Sequence, residues 1–271
     1  MMATTIAGVL RDGGLDAIDA RALLRHVTGC DEAWLISHPD QQLSAKEQAA
    51  YASLRARRAD GEPTAYLTGE REFYSLVLKV TPAVLIPRPE TELLVEAALV
   101  HLPAGVPLRV LDLATGSGCI AIAIAKHRPR AEVTATDISR DALAVARENA
   151  ARHGASIEFV ESDWFAALAD RRFDLIVANP PYIAVGDAHL AAGDLRYEPR
   201  GALVAGPLGL ECIEVIAEQA RHHLAPGGRL LFEHGYDQGL RARALLVAAG
   251  YVDIATRLDL AGIERVSGGR V

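Results

Sequence analysis

The amino-acid sequence predicts a doubly wound α/β fold, in which a mostly parallel seven-stranded sheet follows a small all-helical N-terminal domain. Two observations predict this architecture. From Leu108 onward, short apolar runs alternate with amphipathic helical segments, the pattern of a parallel sheet covered on both faces. Before about residue 70, apolar residues recur only at helical spacing. A chain of 271 residues has room for both parts.

The first 70 residues are predicted to form a bundle of about four short helices. Polar residues mark where two of these helices begin. Asp16 or Asp19 stands before the second helix, and Ser44 followed by Glu47 has the pattern of a capping box. The segment contains no obvious catalytic cluster. We therefore expect residues 1–70 to serve in substrate recognition, with a purely structural cap as the alternative.

Residues 71–90 are predicted to be a β-hairpin linker followed by a stiff loop. Residues 73–80 favour β structure, and Thr81-Pro82 interrupts the run. The loop Pro87-Arg88-Pro89-Glu90-Thr91-Glu92 then leads into a helix that includes Ala98. Glu90 or Thr91 would lie near the positive end of that helix, where such residues stabilise it.

Residues 91–271 are predicted to form the α/β domain that carries the chemistry. We expect its strands at residues 109–113, 132–136, 156–160, 173–178 and 229–233, with two more near 251–256 and 262–267. We expect helices at residues 119–127, 140–153, 208–224 and 238–249. In an open sheet of this kind, ligands bind outside the carboxyl ends of the strands.

The composition excludes several classes of protein. The net charge of −7 argues against a chain whose main partner is nucleic acid, since phosphate binding relies on clustered Lys and Arg. No apolar stretch approaches the ~20 residues of a membrane span, and the N-terminus lacks the features of a secretory signal. Cys30, Cys119 and Cys212 are scattered, which argues against a disulfide framework or a zinc site. We expect a cytoplasmic protein without a bound metal.

The first strand of the sheet runs into a turn of small residues, Ala114-Thr115-Gly116-Ser117-Gly118, and a helix follows at once. Small residues let the backbone approach a ligand, and the helix start offers unpaired N–H groups. The second strand ends in Asp137, where a carboxylate can accept hydrogen bonds from both ribose hydroxyls. The third strand leads to Asp163 and Trp164, which suit an adenine amino group and its ring. These residues predict a nucleoside cofactor.

The turn by itself leaves the choice of cofactor open. Gly116-x-Gly118-x-x-Ala121 also satisfies the dinucleotide fingerprint, so a nicotinamide oxidoreductase is an alternative. The end of the fourth strand favours another cofactor, because no convincing acid or base for hydride transfer accompanies it. S-adenosylmethionine fits better, since its sulfonium leaves without help from a general acid.

The fourth strand ends in Asn179-Pro180-Pro181-Tyr182, which we predict to be the catalytic platform. Neither proline can donate to a β-ladder, so the strand ends there on a stiff backbone. The Asn179 side-chain oxygen and the Pro180 carbonyl can accept the two hydrogens of a planar –NH2 group, while Tyr182 packs on its face. The tetrapeptide indicates transfer of a group to an amino or amide nitrogen. A simple chain-terminating turn is the alternative.

In their order along the chain, these motifs resemble those of the protein-glutamine N5-methyltransferases that modify peptide chain release factors. The resemblance covers nearly the whole length and rests on residues 87–92, 115–121, 179–182, 196–200 and 268–270. The first and fourth segments are the most selective, because amino-methylating enzymes of DNA and RNA also carry the tetrapeptide. The sequence departs from the family at Ala114, where Gly is usual. We expect cofactor binding to survive, an expectation that weakens if position 114 requires a positive φ.

The resemblance implies a Rossmann-like methyltransferase sheet that binds S-adenosylmethionine. The methyl group would pass to the side-chain nitrogen N5 of the glutamine in the Gly-Gly-Gln motif of class 1 release factors, which are the expected partners. The turn from Ala114 to Gly118 would hold the methionine end, Asp137 the ribose, and Trp164 with Asp163 the adenine. Asn179 is expected to contact both the cofactor and the substrate amide.

The alternative activity is adenine N6 methylation of DNA or RNA, which shares the tetrapeptide and needs a flipped base. Its further requirements, a basic groove and a target-recognition segment, are not evident in the sequence. We expect a monomer that binds neither a membrane nor nucleic acid. The sequence leaves the roles of four charged residues open: Arg88, Glu90, Glu198 and Arg200.

Overall fold

The computed structural model describes residues 5–11, 14–191 and 193–271. These residues divide into two compact units. The first unit comprises the described part of Met1–Glu70 together with Ala191–Tyr197, and the second comprises Arg71–Leu190 with Glu198–Val271. Within the described ranges, none of the helices combines the length and the apolar character needed to cross a membrane.

The first unit is a helical bundle. Its helices are α1 Ile6–Arg11, α2 Ala17–Thr28, α3 Glu32–Ser37, α4 Ala45–Ala59 and α5 Thr64–Thr68. Asp16 caps α2 by accepting from the backbone N–H groups of the second and third helical residues. Ser44 and Glu47 form the predicted reciprocal capping box at the start of α4. The bundle closes over an apolar core that includes Leu23, Leu24 and Leu35.

A short segment from far along the chain, Ala191–Tyr197, belongs to this first unit. Asp194 Oδ1 accepts from Arg58 Nη1 at 2.9 Å, and the same guanidinium donates from Nε to Asp19 at 2.5 Å. The Tyr197 hydroxyl donates to the Asp60 carbonyl at 3.1 Å. Polar contacts therefore hold the segment on the bundle.

Strands β1 Glu70–Phe73 and β2 Leu76–Lys79 form a two-stranded hairpin. The predicted hairpin is present, and its turn, whose position the sequence did not predict, lies at residues 74 and 75. Tyr74 and Ser75 both adopt positive φ, 51° and 62°, as a two-residue hairpin turn requires. Carboxylates supply the missing partners: Glu92 accepts from Tyr74 N at 2.8 Å and Glu72 from Ser75 N at 2.6 Å.

The second unit contains the predicted seven-stranded sheet. Its strands are β3 Arg109–Leu113, β4 Glu132–Asp137, β5 Ile157–Glu161, β6 Phe173–Ala178, β7 Leu224–Glu233, β8 Val252–Leu258 and β9 Glu264–Arg270. The order in space is β5-β4-β3-β6-β7-β9-β8. The first five strands in this order are parallel to one another, and β9 is antiparallel to both its neighbours. From β3 the chain moves outward to β4 and β5, then returns to place β6 on the other side of β3. This reversal of strand order is where such sheets bind ligands.

Helices cover both faces of the sheet. They are α6 Glu92–Val100, α7 Cys119–His127, α8 Arg140–His153, α9 Glu211–His223 and α10 Gly239–Ala248. Alternate residues of β6 enter different cores: Leu175 and Val177 pack with α6 and α7, whereas Ile176 packs with α9 and α10. The alternation follows from the two-residue period of a strand. A parallel sheet buried on both faces results.

Most predicted boundaries lie within two residues of those in the structure, and the starts of α9 and β7 differ by more. Helix α9 begins at Glu211, not at residue 208, because the Glu211 carboxylate accepts from Leu208 N and Leu210 N and holds these residues in a turn. Strand β7 begins at Leu224, five residues before the predicted start at residue 229. Its early part pairs with Phe173 beside an irregularity in register, which the glycine-rich sequence did not reveal.

Candidate functional site

A cavity of about 390 Å³ lies at the carboxyl ends of β3, β4, β5 and β6. It lies where the strand order reverses, and its volume falls within the range of small-molecule sites. Nine of the predicted site residues line it: Ala114, Thr115, Gly116, Ser117, Asp137, Asp163, Trp164, Asn179 and Pro181. Parallel strand ends bring these residues together although they are far apart in sequence.

Three predicted site residues do not line the cavity. Gly118 is the residue before α7, with φ 83°, and a Cβ there would lie 3.1 Å from Ile122 and 3.2 Å from Ala146. Its role in the structure is close packing of the turn on the helices. Pro180 is buried, and Tyr182 is half-buried behind the platform.

The turn after β3 is held from below by a buried carboxylate. Asp112 Oδ2 accepts from the Thr115 hydroxyl at 2.6 Å and from Ala121 N at 3.2 Å. Burial raises the pKa of Asp112 to about 7, and its Oδ1 has no hydrogen-bond partner among the described residues. Asp112 lies within the predicted strand at residues 109–113, and no role was predicted for it. A lone acidic residue inside an apolar strand was the signal that could have identified it.

Ala114 adopts φ 55°, the left-handed conformation that glycine favours. Position 114 thus requires a positive φ, which weakens the expectation that cofactor binding survives with Ala in place of the usual Gly. A non-glycine residue in this region costs roughly 1–2 kcal/mol. Gly116 has the same conformation, with φ 56°, but glycine adopts it without strain. In this pair, only Ala114 is strained.

Asp137 connects the turn to the next helix. Its Oδ2 accepts from Gly116 N at 2.9 Å and its Oδ1 from Ser139 N at 2.9 Å. The cap of α8 is Ser139, whose hydroxyl accepts from Ala142 N at 3.1 Å, so Asp137 is not the N-cap of this helix. Burial raises the pKa of Asp137. Its carboxylate lines the cavity, where contact with a ribose stays a prediction.

Trp164 is presented to the cavity by a tight turn. It has a positive φ of 46°, and Ser162 Oγ holds the turn by donating to the Trp164 carbonyl at 2.8 Å and accepting from Ala167 N at 3.0 Å. Ile138, 68% exposed, also lines the cavity. The sequence analysis missed Ile138; an apolar residue directly after a strand-terminal Asp was the available signal. Two apolar side chains thus offer a surface for a planar ring.

The platform is joined to the loop before α6. Asn179 Nδ2 donates to Thr91 Oγ1 at 3.0 Å, and Thr91 is 2% exposed. Thr91 lies at the start of α6, as expected, but its side chain makes no capping bond there. Its hydroxyl instead fixes the Asn179 amide. Because the amide nitrogen is used in this bond, the amide oxygen remains available to a donor in the cavity.

Tyr182 and Glu233 form the other polar contact behind the platform. The Tyr182 hydroxyl donates to Glu233 Oε1 at 3.2 Å, and burial raises the pKa of both groups, that of Glu233 to about 7. Gln238 Nε2 donates to the Tyr182 carbonyl at 2.9 Å. The sequence analysis did not identify Glu233 as part of the site.

A buried ion pair closes the rim of the cavity. Arg88 donates to Glu198 Oε1, and Ile86 N donates to Glu198 Oε2 at 2.9 Å. The Glu198 side chain is fully buried, so Glu198 makes a local ion pair and is not free to contact a protein substrate. Arg88 and Pro199 both line the cavity. Arg200 is exposed, and its role stays open. Among the described residues, no group of three His, Cys, Asp or Glu is arranged to hold a metal ion.

Comparison with known proteins defines first a class and then a family. The Methyltransferase small domain matches residues 90–195, and the PrmC N-terminal domain matches residues 5–69. A solved methyltransferase from Pyrococcus furiosus shares the fold, with a TM-score of 0.56 and 18% identity over 81% of this chain and 98% of that one. The chain therefore has a methyltransferase fold.

Two curated relatives identify the family. The release factor glutamine methyltransferase of Burkholderia pseudomallei (strain K96243) is 54% identical over 98% of this chain and 96% of its own length. The protein of the same name from Bordetella pertussis is 53% identical over 98% and 99%. This chain belongs to the release factor glutamine methyltransferase family. The resemblance inferred from the sequence motifs is confirmed.

Proposed function

We propose that this enzyme transfers a methyl group from S-adenosylmethionine to the side-chain nitrogen N5 of the glutamine in the Gly-Gly-Gln motif of class 1 release factors. Its relatives at 54% and 53% identity are named release factor glutamine methyltransferases. The observation that carries the proposal is the Asn179–Thr91 hydrogen bond at 3.0 Å. It orients the Asn179 amide through one of its two N–H donors, so that the amide oxygen is left as an acceptor for the –NH2 group of glutamine.

The cavity fits the cofactor in volume and in chemistry. The turn from Ala114 to Ser117 would hold the methionine end, Asp137 the ribose hydroxyls, and Trp164 with Asp163 the adenine. When bound, S-adenosylmethionine supplies a methyl group on a sulfonium, a leaving group that needs no proton. The acidic side chains that line the cavity favour a cationic ligand.

The residues of the platform act by positioning. The lone pair of an amide nitrogen is delocalised into the carbonyl, so the nitrogen is a weak nucleophile. Asn179 Oδ1 and the Pro180 carbonyl would accept both N–H bonds and direct the lone pair at the methyl carbon. Orientation of this kind can lower a barrier by as much as ~7–11 kcal/mol. As the new N–C bond forms, the nitrogen becomes acidic and gives up one proton to solvent.

The release factor also requires a contact surface outside the cavity, and we assign this role to the first unit. A second contact would raise the effective concentration of the Gly-Gly-Gln loop without tightening the catalytic site. We further propose that the enzyme acts as a cytoplasmic monomer and does not bind nucleic acid directly, in keeping with its net charge of −7. Adenine N6 methylation, the alternative from the sequence, gains no support from the relatives.

The test is methyl transfer from labelled S-adenosylmethionine to a purified bacterial release factor, read by peptide mass spectrometry. We expect one added methyl group on the loop glutamine and none on the Gln→Ala variant of the factor. Asn179→Ala should abolish turnover while cofactor affinity stays within about 2-fold, because its main task is to orient the substrate. Label on DNA or RNA, with none on the factor, would refute the proposal.

A further inference from the structure

Glu233 is a buried carboxylate placed directly behind the catalytic platform. It is the last residue of β7 and is 1% exposed. Its Oε1 accepts from the Tyr182 hydroxyl at 3.2 Å. Its Oε2 is buried and makes no hydrogen bond with the described residues. A carboxylate oxygen in such a place needs a donor.

Thr91 has the complementary requirement. Its oxygen accepts from Asn179 Nδ2 at 3.0 Å, so its single hydroxyl proton must be donated elsewhere. The side chain is almost completely buried, which removes bulk water as the acceptor. The Thr91 hydroxyl lies near enough to Glu233 to lower the pKa of that carboxyl by hydrogen bonding. The Thr91 hydroxyl proton is therefore the donor that suits the buried Oε2 of Glu233.

We propose that Glu233 is a positioning residue that sets the direction of the hydrogen bonds behind Asn179, an inference that rests on the proposed function. An ionised carboxylate can only accept, so Thr91 must donate to it. The Thr91 oxygen then accepts from the Asn179 amide nitrogen, and the Asn179 oxygen faces the glutamine –NH2 group. The same carboxylate accepts from the Tyr182 hydroxyl and holds that ring behind the platform.

Loss of the charge on Glu233 removes this constraint and allows the chain of hydrogen bonds to reverse. A protonated Glu233 can donate to Thr91, and Thr91 can then donate to Asn179 Oδ1. The amide that meets the substrate would present its –NH2 group to another –NH2 group, which is the wrong polarity. Catalysis therefore requires ionised Glu233.

Charged groups from neighbouring elements determine when Glu233 ionises. Burial raises its pKa to about 7, Arg265 on β9 opposes this shift, and Glu90 in the loop before α6 adds to it. The hydroxyls of Thr91 and Tyr182 also lower the pKa. The fraction of enzyme with ionised Glu233, the active form, therefore increases as the pH rises through neutrality.

The first test compares Glu233→Gln with the wild-type enzyme on an intact release factor between pH 5.5 and 9. We expect kcat to fall about 100-fold at pH 8, the scale for a misplaced reacting group, while the KM for S-adenosylmethionine stays within about 2-fold. The acid limb of the wild-type pH profile should disappear in the variant. Glu214→Gln, an exposed carboxylate on α9, is the matched control and should keep the wild-type profile.

The second test uses Thr91, so that the inference does not depend on one variant folding. Thr91→Val keeps the shape and removes the hydroxyl, whereas Thr91→Ser keeps the hydroxyl and removes a methyl group. We expect kcat to fall about 100-fold in Thr91→Val. In Thr91→Ser, kcat should be at least about 10-fold higher than in Thr91→Val. Equal loss in both variants would mean that only packing matters and would overturn the proposal.

A third measurement is independent of turnover. In the cofactor-free wild-type enzyme, the side-chain amide resonances of Asn179 should titrate near neutral pH, and in Glu233→Gln they should not. Absence of this titration in the wild type, or its persistence in the variant, would overturn the proposal. If the wild-type enzyme transfers no methyl group to the release factor, the proposed function fails, while the amide titration still decides whether Glu233 controls Asn179.

Discussion

Replacing Ala114 by Gly tests directly how the cofactor turn stores strain. Ala114 adopts φ 55° at the end of β3, between a buried Asp112 and a Thr115 whose N–H donates to the Thr136 carbonyl at 2.9 Å. These contacts hold the backbone at positive φ, where the Cβ of Ala114 is strained. Glycine removes the Cβ and keeps every backbone hydrogen bond.

The expected gain is the difference between two effects of opposite sign. Left-handed backbone costs a non-glycine residue roughly 1–2 kcal/mol, which the substitution recovers. Glycine makes the unfolded chain more flexible, which costs about 0.5–1 kcal/mol. The free energy of unfolding of the second unit should therefore rise by about 0.5–1 kcal/mol, or about 2 °C in Tm.

The assay is urea and thermal unfolding followed by fluorescence in a Trp34→Phe background. The chain has 2 tryptophans, so the remaining Trp164 reports on the second unit alone. Ala151→Gly is the matched control: Ala151 lies within helix α8 on its exposed side, and glycine there should cost about 1 kcal/mol. If Ala114→Gly destabilised the protein as much as Ala151→Gly does, position 114 would not be strained and the reasoning would be refuted.

Three further predictions follow from the ion pairs and buried carboxyls. Arg88→Met should cost about 2–3 kcal/mol in urea unfolding, because it leaves the buried Glu198 carboxylate without its cation; adding Glu198→Gln should recover most of that loss. The folded-state pKa of Glu233 lies above its ordinary value of 4.5, at about 7, so its contribution to stability is present below pH 4.5 and is lost as the pH rises past 7. The difference in the free energy of unfolding between the wild type and Glu233→Gln should therefore change by as much as about 3 kcal/mol across pH 4.5–8. A difference that does not vary with pH would contradict the burial argument. Arg58→Ala should slow methylation of an intact release factor more than that of a short Gly-Gly-Gln peptide, because it releases the segment before Glu198 from the first unit; equal slowing, with Arg57→Ala as control, would indicate a purely structural role.

The sequence determined the architecture because local signals and burial agreed along most of the chain. Helices α7 and α8 and strands β3 and β6 have the predicted bounds. Glycines, prolines and a serine cap stand at their ends, where backbone chemistry ends or begins an element. The hairpin was predicted but its turn at Tyr74 and Ser75 was not placed, since neither residue favours the positive φ found there and Glu92, 18 residues away, holds Tyr74 N.

For the site, the sequence identified the residues that follow each strand, because parallel strand ends must meet at one edge of the sheet. Asp137, Trp164 and Asn179 line one cavity for that reason. The sequence could not reveal which side chains lie behind them. Thr91 meets Asn179 across 88 residues, and Glu233 meets Tyr182 across 51.

These contacts between distant residues depend on the order of the strands in the sheet, which no local sequence pattern encodes. Placing β7 beside β6 brings Glu233 behind the platform, and packing α6 over the same strands brings Thr91 to Asn179. Glu198 reaches Arg88 across 110 residues for a similar reason. The sequence alone thus determined the fold, the family and the strand-end residues that line the cavity. The tertiary structure decided the hydrogen bonds that orient the Asn179 amide, because they depend on the distance between buried groups from separate elements.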